Sequence, residues 1–324
     1  MTELSDAEVA RLARLARTRA NMRGRRNPAV LPSKLARTAA FAPRKHGLST
    51  DADFVRTYVV KPHAVVEVRG RELGTRHRDA LIALFRLRAK RFETVGENGQ
   101  VKGSVYRTDA TWRDILKASG LTAHVNNLIV ALRILEELRS VTMRVFTGTY
   151  DAYETAVAKG RLPSAGWSDG LIGSINWTGV NLDSEVSVTY GEWVRRTFET
   201  KNLVSVSADV YFALKSDFAR AWWPYIDSQP NHHYITLETL SEMVGRDYRT
   251  EPSKKRARFR EDVVSAFNDM VRAGGLAEFE LEASGPGRTK SYRVIYKHAL
   301  PTAKQIEIAD DIFAVQGELG LPDL

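Results

Sequence analysis

Between residues 234 and 296 the spacing of apolar positions changes three times. Tyr234-Ile235 leads to Thr236, a cap for a short helix with apolar positions Leu237, Leu240 and Val244. A longer helical face follows at Phe259, Val263, Phe267, Met270 and Val271, and Gly274-Gly275 ends it. Leu276 to Glu282 and Tyr292 to Tyr296 then read as two strands around Ser284-Gly285-Pro286-Gly287. The predicted order is helix, turn, helix, β-hairpin. The long helix opens with Lys254, Lys255, Arg256, Arg258 and Arg260, so its exposed end is cationic.

A similar order is predicted upstream. Tyr58-Val59-Val60 and Val65-Val66-Glu67-Val68 are β-rich, with Gly70 and Gly74 in the turn after them. Thr75 can cap a helix through Ala80, Leu81, Leu84, Phe85 and Leu87. After strand Ser104-Val105-Tyr106, Asp109 to Leu116 reads as a short helix ended by Gly120, and Thr122 as the cap of a helix whose apolar face is Val125, Ile129, Leu132, Leu135 and Leu138. Ser140 to Phe146, Leu171 to Ile175 and Glu185 to Tyr190 read as strands that together form a hairpin or wing. Between them, Thr147 to Asp169 is either an inserted helix or a mobile loop. Val204-Ser205-Val206 opens the second unit, with Ala208, Tyr211, Phe212 and Leu214 as a helical face and Phe218, Ala219, Ala221, Trp222 and Trp223 as core.

Helix, turn, basic helix and hairpin is the order of a winged helix, whose basic helix fits the major groove of DNA while the hairpin reaches an adjacent phosphate or groove. The expected fold class is therefore α+β, with two tandem winged-helix domains. The expected boundaries are a basic N-terminal arm at 1–30, a first winged helix at 31–198, a second at 199–300, and a C-terminal helix and tail at 301–324. In the arm, Ser5-Asp6-Ala7-Glu8 is a capping box for a helix with apolar Val9, Leu12, Leu15 and Ala16, and Asn27-Pro28 with Pro32 reads as a linker. Arg11, Arg14 and Arg17 there suit phosphates, an anionic lipid surface or a dimer arm, and a partly ordered tail fits equally. Thr302 caps the C-terminal helix through Ile306, Ile308 and Ile312.

Composition narrows the classes. The 324 residues are 43% hydrophobic and 27% charged, as in a globular protein of two domains. No apolar run reaches the roughly 18 residues of a membrane span. Absence of cysteine removes disulfides, thiolate metal sites and cysteine nucleophiles. No basic-then-apolar leader follows Met1-Thr2-Glu3-Leu4, so a cytoplasmic location is expected. Net charge is +9, yet residues 1–50 hold eleven Lys or Arg against three acids, or +8, and the rest is nearly neutral. A polyanionic partner must then meet local patches, and these are the arm and the stretch from Arg246 to Arg260.

Leu35-Ala36-Arg37-Thr38-Ala39-Ala40-Phe41 resembles the Leu-x-Arg-Ser-Ala-x-Phe segment of TrfA-type plasmid replication initiators, with Thr38 and Ala40 in place of the usual Ser and Leu. Residues 207–244, including Asp209 to Leu214 and Ala219-Arg220-Ala221-Trp222, resemble the second winged helix of theta-type RepA initiators. The resemblance covers 31–145 and 200–298 and leaves 146–184 unmatched. It implies a protein that binds directly repeated origin sites (iterons), helps open an adjacent AT-rich duplex, and recruits host DnaA and the replicative helicase. In such families monomers bind the iterons, while homodimers are inactive or repress.

The residues expected to contact DNA in the second unit are Arg246, Tyr248, Arg249, Lys254, Lys255, Arg256, Arg258 and Arg260, with Arg288, Lys290 and Arg293 on the wing. Arginine bonds guanine in bidentate fashion, and lysine mainly neutralises phosphate. In the first unit they are His124, Asn126, Asn127 and Arg133, near the start of the second helix of the helix-turn-helix; Asn suits adenine, although two Asn beside a cap also serve local structure. No cofactor, metal or catalytic residue is expected. His232-His233 is the candidate pair for a metal-dependent rolling-circle nickase, but adjacent histidines on a strand point to opposite faces. No Gly-x-x-x-x-Gly-Lys-Ser/Thr loop and no Gly-x-Ser-x-Gly elbow occurs. Gln316 to Leu321 resembles peptides that dock on sliding clamps, a frayed tail being the alternative. A transcriptional repressor of the same fold would need the same groove contacts.

Overall fold

The computed structural model describes residues 29–60, 64–95, 98, 100–199, 203–229, 232–284 and 291–299. The expected arm helix, the C-terminal helix with its clamp-like peptide, and wing residues Arg288 and Lys290 lie outside these.

The chain begins with β1 (Ala29–Pro32), α1 (Ser33–Ala36), β2 (Phe41–Ala42), β3 (Val55–Val60), β4 (Ala64–Arg69) and β5 (Leu73–Gly74), which lead into α2 (Thr75–Arg86). A hairpin of β6 (Lys90–Val95) and β7 (Val101–Thr111) precedes α3 (Trp112–Ala118) and α4 (Val125–Arg139). Next come β8 (Thr142–Thr147), α5 (Tyr150–Ala158), β9 (Gly166–Gly170), β10 (Ile172–Trp177), β11 (Glu185–Tyr190) and α6 (Glu192–Glu199). The second unit comprises β12 (Leu203–Val206), α7 (Ala208–Ala213), α8 (Asp217–Asp227), β13 (Tyr234–Thr236), α9 (Leu237–Glu242), α10 (Ser253–Arg272), β14 (Leu276–Ser284) and β15 (Ser291–His298).

Two winged helices are present, and their strand pairing is the same. In the second unit the sheet order is β13-β15-β14, so the strand before α9 pairs with the returning strand of the hairpin. In the first, β7 pairs with β11 and β11 with β10, with β6 added outside β7. Helices α2, α3 and α4 thus correspond to α8, α9 and α10, which makes α4 and α10 the third helices of their units.

Several local expectations shift. Residues 109–111 continue strand β7, and the helix starts at Trp112. Thr111 caps it reciprocally, its hydroxyl accepting from the Asp114 amide at 3.2 Å while Asp114 accepts from the Thr111 amide at 3.1 Å. Gly74, not Thr75, holds the cap position of α2. For α4 the cap is His124, whose Nδ1 accepts from the Asn126 amide at 3.2 Å, not Thr122. The expected apolar face of α4 is also corrected: Val125 and Ile129 are exposed, and Leu128, Ala131, Leu135 and Leu138 are buried. Two apolar stripes interleave on this helix, and packing against α2 and β10 selects the second.

The strand near 140–146 does not join the wing. As β8 it pairs with β4 in a separate sheet of order β3-β4-β8-β9, because α5 and β9 are inserted between α4 and β10. Side chains pack on both faces of this sheet. Val66, Val68, Met143 and Val145 face the main core, whereas Val65 and Phe146 pack on Tyr153 of α5. Alternation marks a strand; it does not name the partner. The segment of undecided structure after 147 is thus an inserted helix, capped by Thr149, and an edge strand.

The two units share one apolar core, from Phe85 and Trp112 to Trp222, Trp223, Phe259 and Phe267. β1 pairs with β12 across them. Arg78 of α2, 5% exposed, donates to the Ala221 carbonyl at 2.5 Å and the Thr38 carbonyl at 3.3 Å. Beside it Asp79 accepts from Arg220 at 2.6 Å and from the Tyr211 hydroxyl at 2.7 Å. Leu35, Ala36, Thr38, Ala39, Ala40 and Phe41 are buried in this joint, where the Thr38 hydroxyl donates to Tyr58 at 2.7 Å and accepts from the Ala40 amide at 3.1 Å. Serine would supply the same hydroxyl at position 38. Among the described residues no helix is long and apolar enough to cross a membrane.

Candidate nucleic-acid interface

Packing fixes which side of α10 is available. Phe259, Val263, Ala266, Phe267 and Met270 are buried against α8 and the wing, with the Phe259 ring 5.9 Å from Trp222 and edge-on to it. Buried Asp269 accepts from the Lys215 and Ser216 amides at 2.7 and 2.8 Å, tying α10 to the start of α8. Gly274, at φ +75°, closes the helix: its amide donates to Val271, and that of Gly275 to Met270, both at 3.0 Å.

The outer side of the first two turns carries Lys254, Lys255 and Arg258, exposed, and Arg256, half-buried. Among the described residues the side chains of these four form no hydrogen bond or ion pair. The first turn holds no acidic residue, so the positive end of the helix dipole adds to their field. Glu251 lies in the field of Lys255 and Asp262 in that of Arg258, neither in a direct ion pair with it.

Of the other described residues expected to contact DNA in this unit, Arg246, Tyr248, Arg260 and Arg293 are engaged. Arg246 makes a two-pronged pair with Glu251 at 2.8 and 2.7 Å and lies 4.7 Å over the Phe259 ring. That pair holds the Glu251 carboxyl below the usual range. Tyr248 is 4% exposed, its amide donating to Ser241 Oγ at 3.2 Å and its hydroxyl accepting from Arg260 at 2.9 Å. The same Arg260 guanidinium lies 4.8 Å from the Tyr292 ring centre. Arg260 therefore spans three pieces: the turn before α10, the helix, and wing strand β15. Arg249 is exposed, 4.0 Å from Glu238. Arg293 pairs across the hairpin with Glu282 at 2.6 Å and lies 5.7 Å from the Tyr234 ring centre.

Tyr292 sits next to Ser291, which pairs with Ser284 at the tip end of the hairpin. Its contact with Arg260 places that end beside the cationic opening of α10. An open groove of about 690 Å³ runs between α10 and β14, lined by Arg260, Glu261, Val264, Asn268, Arg272 and Leu281 among others.

The first unit is differently equipped. The outer side of α4 bears Asn126, Ile129, Val130 and Arg133, all exposed. His124 caps the helix, and Asn127 donates to the Thr122 carbonyl at 2.8 Å, so both serve its start. Its wing, residues 178–184, contains no Lys or Arg. That wing is folded back on α3: Trp112 Nε1 donates to the Gly179 carbonyl at 3.2 Å, and Arg113 pairs with Asp183 at 2.8 Å. Sequence periodicity assigned Ile129 to the core, and Val130 carried no signal of its own.

His232 and His233 are exposed in the loop before β13, and the His233 carbonyl accepts from the Tyr296 amide at 2.8 Å. Among the described residues no group of three or more His, Asp or Glu side chains is arranged to hold a metal.

No family model matches the sequence, and no curated protein matches it. Among solved structures the chain is similar to domains 2 and 3 of RctB, at 12% identity and TM-score 0.49, covering 82% of this chain and 98% of that one. It is also similar to the Pi initiator protein in complex with iteron DNA, at 12% identity and TM-score 0.48, covering 85% and 98%. Values this low assign no function.

Proposed function

We propose that this chain is a plasmid replication initiator that binds directly repeated origin sites in double-stranded DNA through its two winged helices. The observation that carries the reading is the opening of α10: four cations without a bound partner, at the tip end of a wing, on the helix that a winged helix lays in the major groove. Lys254, Lys255, Arg256 and Arg258 supply phosphate and guanine contacts there, Arg249 and the wing cations extend them, and Asn126 and Arg133 read bases from α4. The units divide at 31–198 and 199–300. In this reading binding promotes opening of adjacent duplex and brings host DnaA and the replicative helicase, with no nucleotide hydrolysis by the chain itself. A homodimer and a clamp contact through 316–321 belong to the same proposal, as does a cytoplasmic site of action.

Initiation is favoured over repression by the Leu35 to Phe41 segment, which resembles that of the initiators and here builds the joint between the two units. Footprinting on the DNA flanking the gene tests this. Several evenly spaced repeats beside an AT-rich stretch are expected; a single palindrome would indicate a repressor, and metal-dependent nicking of a supercoiled origin would overturn both.

A further inference from the structure

Asn126, Ile129, Val130 and Arg133 fall at i, i+3, i+4 and i+7, one stripe along the outer side of α4. Ile129 is 58% exposed and Val130 40%, on the helix that corresponds by strand pairing to the cationic α10. The stripe spans about 10 Å of helix axis, the length of roughly three stacked base pairs. Thymine is the base that offers an apolar group, its C5 methyl, in the major groove.

We propose that Ile129 and Val130 determine specificity by packing on thymine methyls, between an adenine read by Asn126 and a guanine read by Arg133. The inference rests on the DNA-binding function proposed above. Two features favour DNA over a protein as the occupant. The patch is flanked on its own stripe by an amide and a guanidinium, the side chains that suit adenine and guanine edges. It is also continuous with the third-helix face of a winged helix. The cation-free wing beside it fits a head that reads bases and leaves phosphate neutralisation to the second unit.

The test is a cycle between protein and base. The full chain selects duplexes from a random pool, and each thymine of the selected site is then replaced singly by deoxyuridine, which removes only the methyl. For wild type, at least one replacement should weaken binding about fourfold, the effect of one buried methyl. Ile129→Ala or Val130→Ala should abolish that loss at the same thymine while leaving the salt dependence of binding unchanged. Both side chains are exposed, so neither change opens the core. Equal losses for wild type and variants at every thymine would overturn the inference. So would a change in sedimentation of Ile129→Ala without any loss of methyl sensitivity, which would mark a surface for a second copy of the chain. If wild type selects no site, the proposed function fails first; if it selects one insensitive to these side chains, only this inference fails.

Discussion

Neutralising Lys254, Arg256 and Arg258 together, each to Gln, removes three of the four unengaged cations at the start of α10. Each phosphate left without its cation should flatten the slope of log K against log salt by about 0.9, so three give about 2.7. Between 50 and 200 mM salt, a fourfold change, the affinity gap between wild type and variant should narrow by roughly 1.6 decades, or about 40-fold. Arg260→Met is the contrast. Arg260 is held between the Tyr248 hydroxyl and the Tyr292 ring, so its removal should loosen the wing and weaken binding with little change in slope. Fluorescence anisotropy with one origin-repeat duplex, titrated at four or more salt concentrations, reads both quantities. The reasoning is refuted if the triple variant keeps the wild-type slope, or if Arg260→Met alone flattens it as much as Arg256→Gln does.

Arg220→Met should destabilise the fold by about 3 kcal/mol in urea denaturation, because it removes the ion-pair partner of Asp79 at the joint between units and leaves the Tyr211 hydroxyl as its hydrogen-bond donor. Burial would raise the Glu72 carboxyl, but the Ser49 amide and the Arg44 and Arg56 guanidiniums outweigh it and hold the pKa below the ordinary carboxylate range. A depressed folded-state pKa stabilises above the unfolded value and is lost as pH falls through the folded one, so wild-type Tm should drop on acidification below about pH 4.5. Glu72→Gln should lower Tm at neutral pH and reduce that acid dependence. Gly274→Ala, at φ +75°, should cost about 1 kcal/mol of stability and leave the salt slope of DNA binding unchanged.

The second winged helix was largely legible because its signals are local. The Thr236 cap, the spacing of Phe259, Val263, Phe267 and Met270, and the Gly274-Gly275 stop lie within one stretch of chain, and the helices form where they indicate. The first unit was less legible. Strand β8 alternates as clearly as β10 or β11, yet its partner β4 lies on the far side of helices α2, α3 and α4 in the chain. On α4 the expected apolar run holds at its C-terminal half, where Leu135 and Leu138 are buried, and fails in the first two turns, where Val125 and Ile129 face outward and Leu128 faces the core.

The sequence by itself determined that the chain is α+β, that helix, turn, helix and hairpin occur twice, and that the second third-helix begins with a cluster of cations. Periodicity, capping and charge are properties of neighbouring residues, so they survive without a fold. Only the tertiary structure sorted that cluster. Arg246, Tyr248 and Arg260 differ from Lys254, Arg256 and Arg258 in what stands beside them, namely Glu251, Phe259, Ser241 and Tyr292. It likewise decided that Leu35 to Phe41 is a joint and that Arg78 and Asp79 lock two units into one body. A cation is a ligand for phosphate or a brace according to whether a partner already holds it, and partners are chosen by long-range packing.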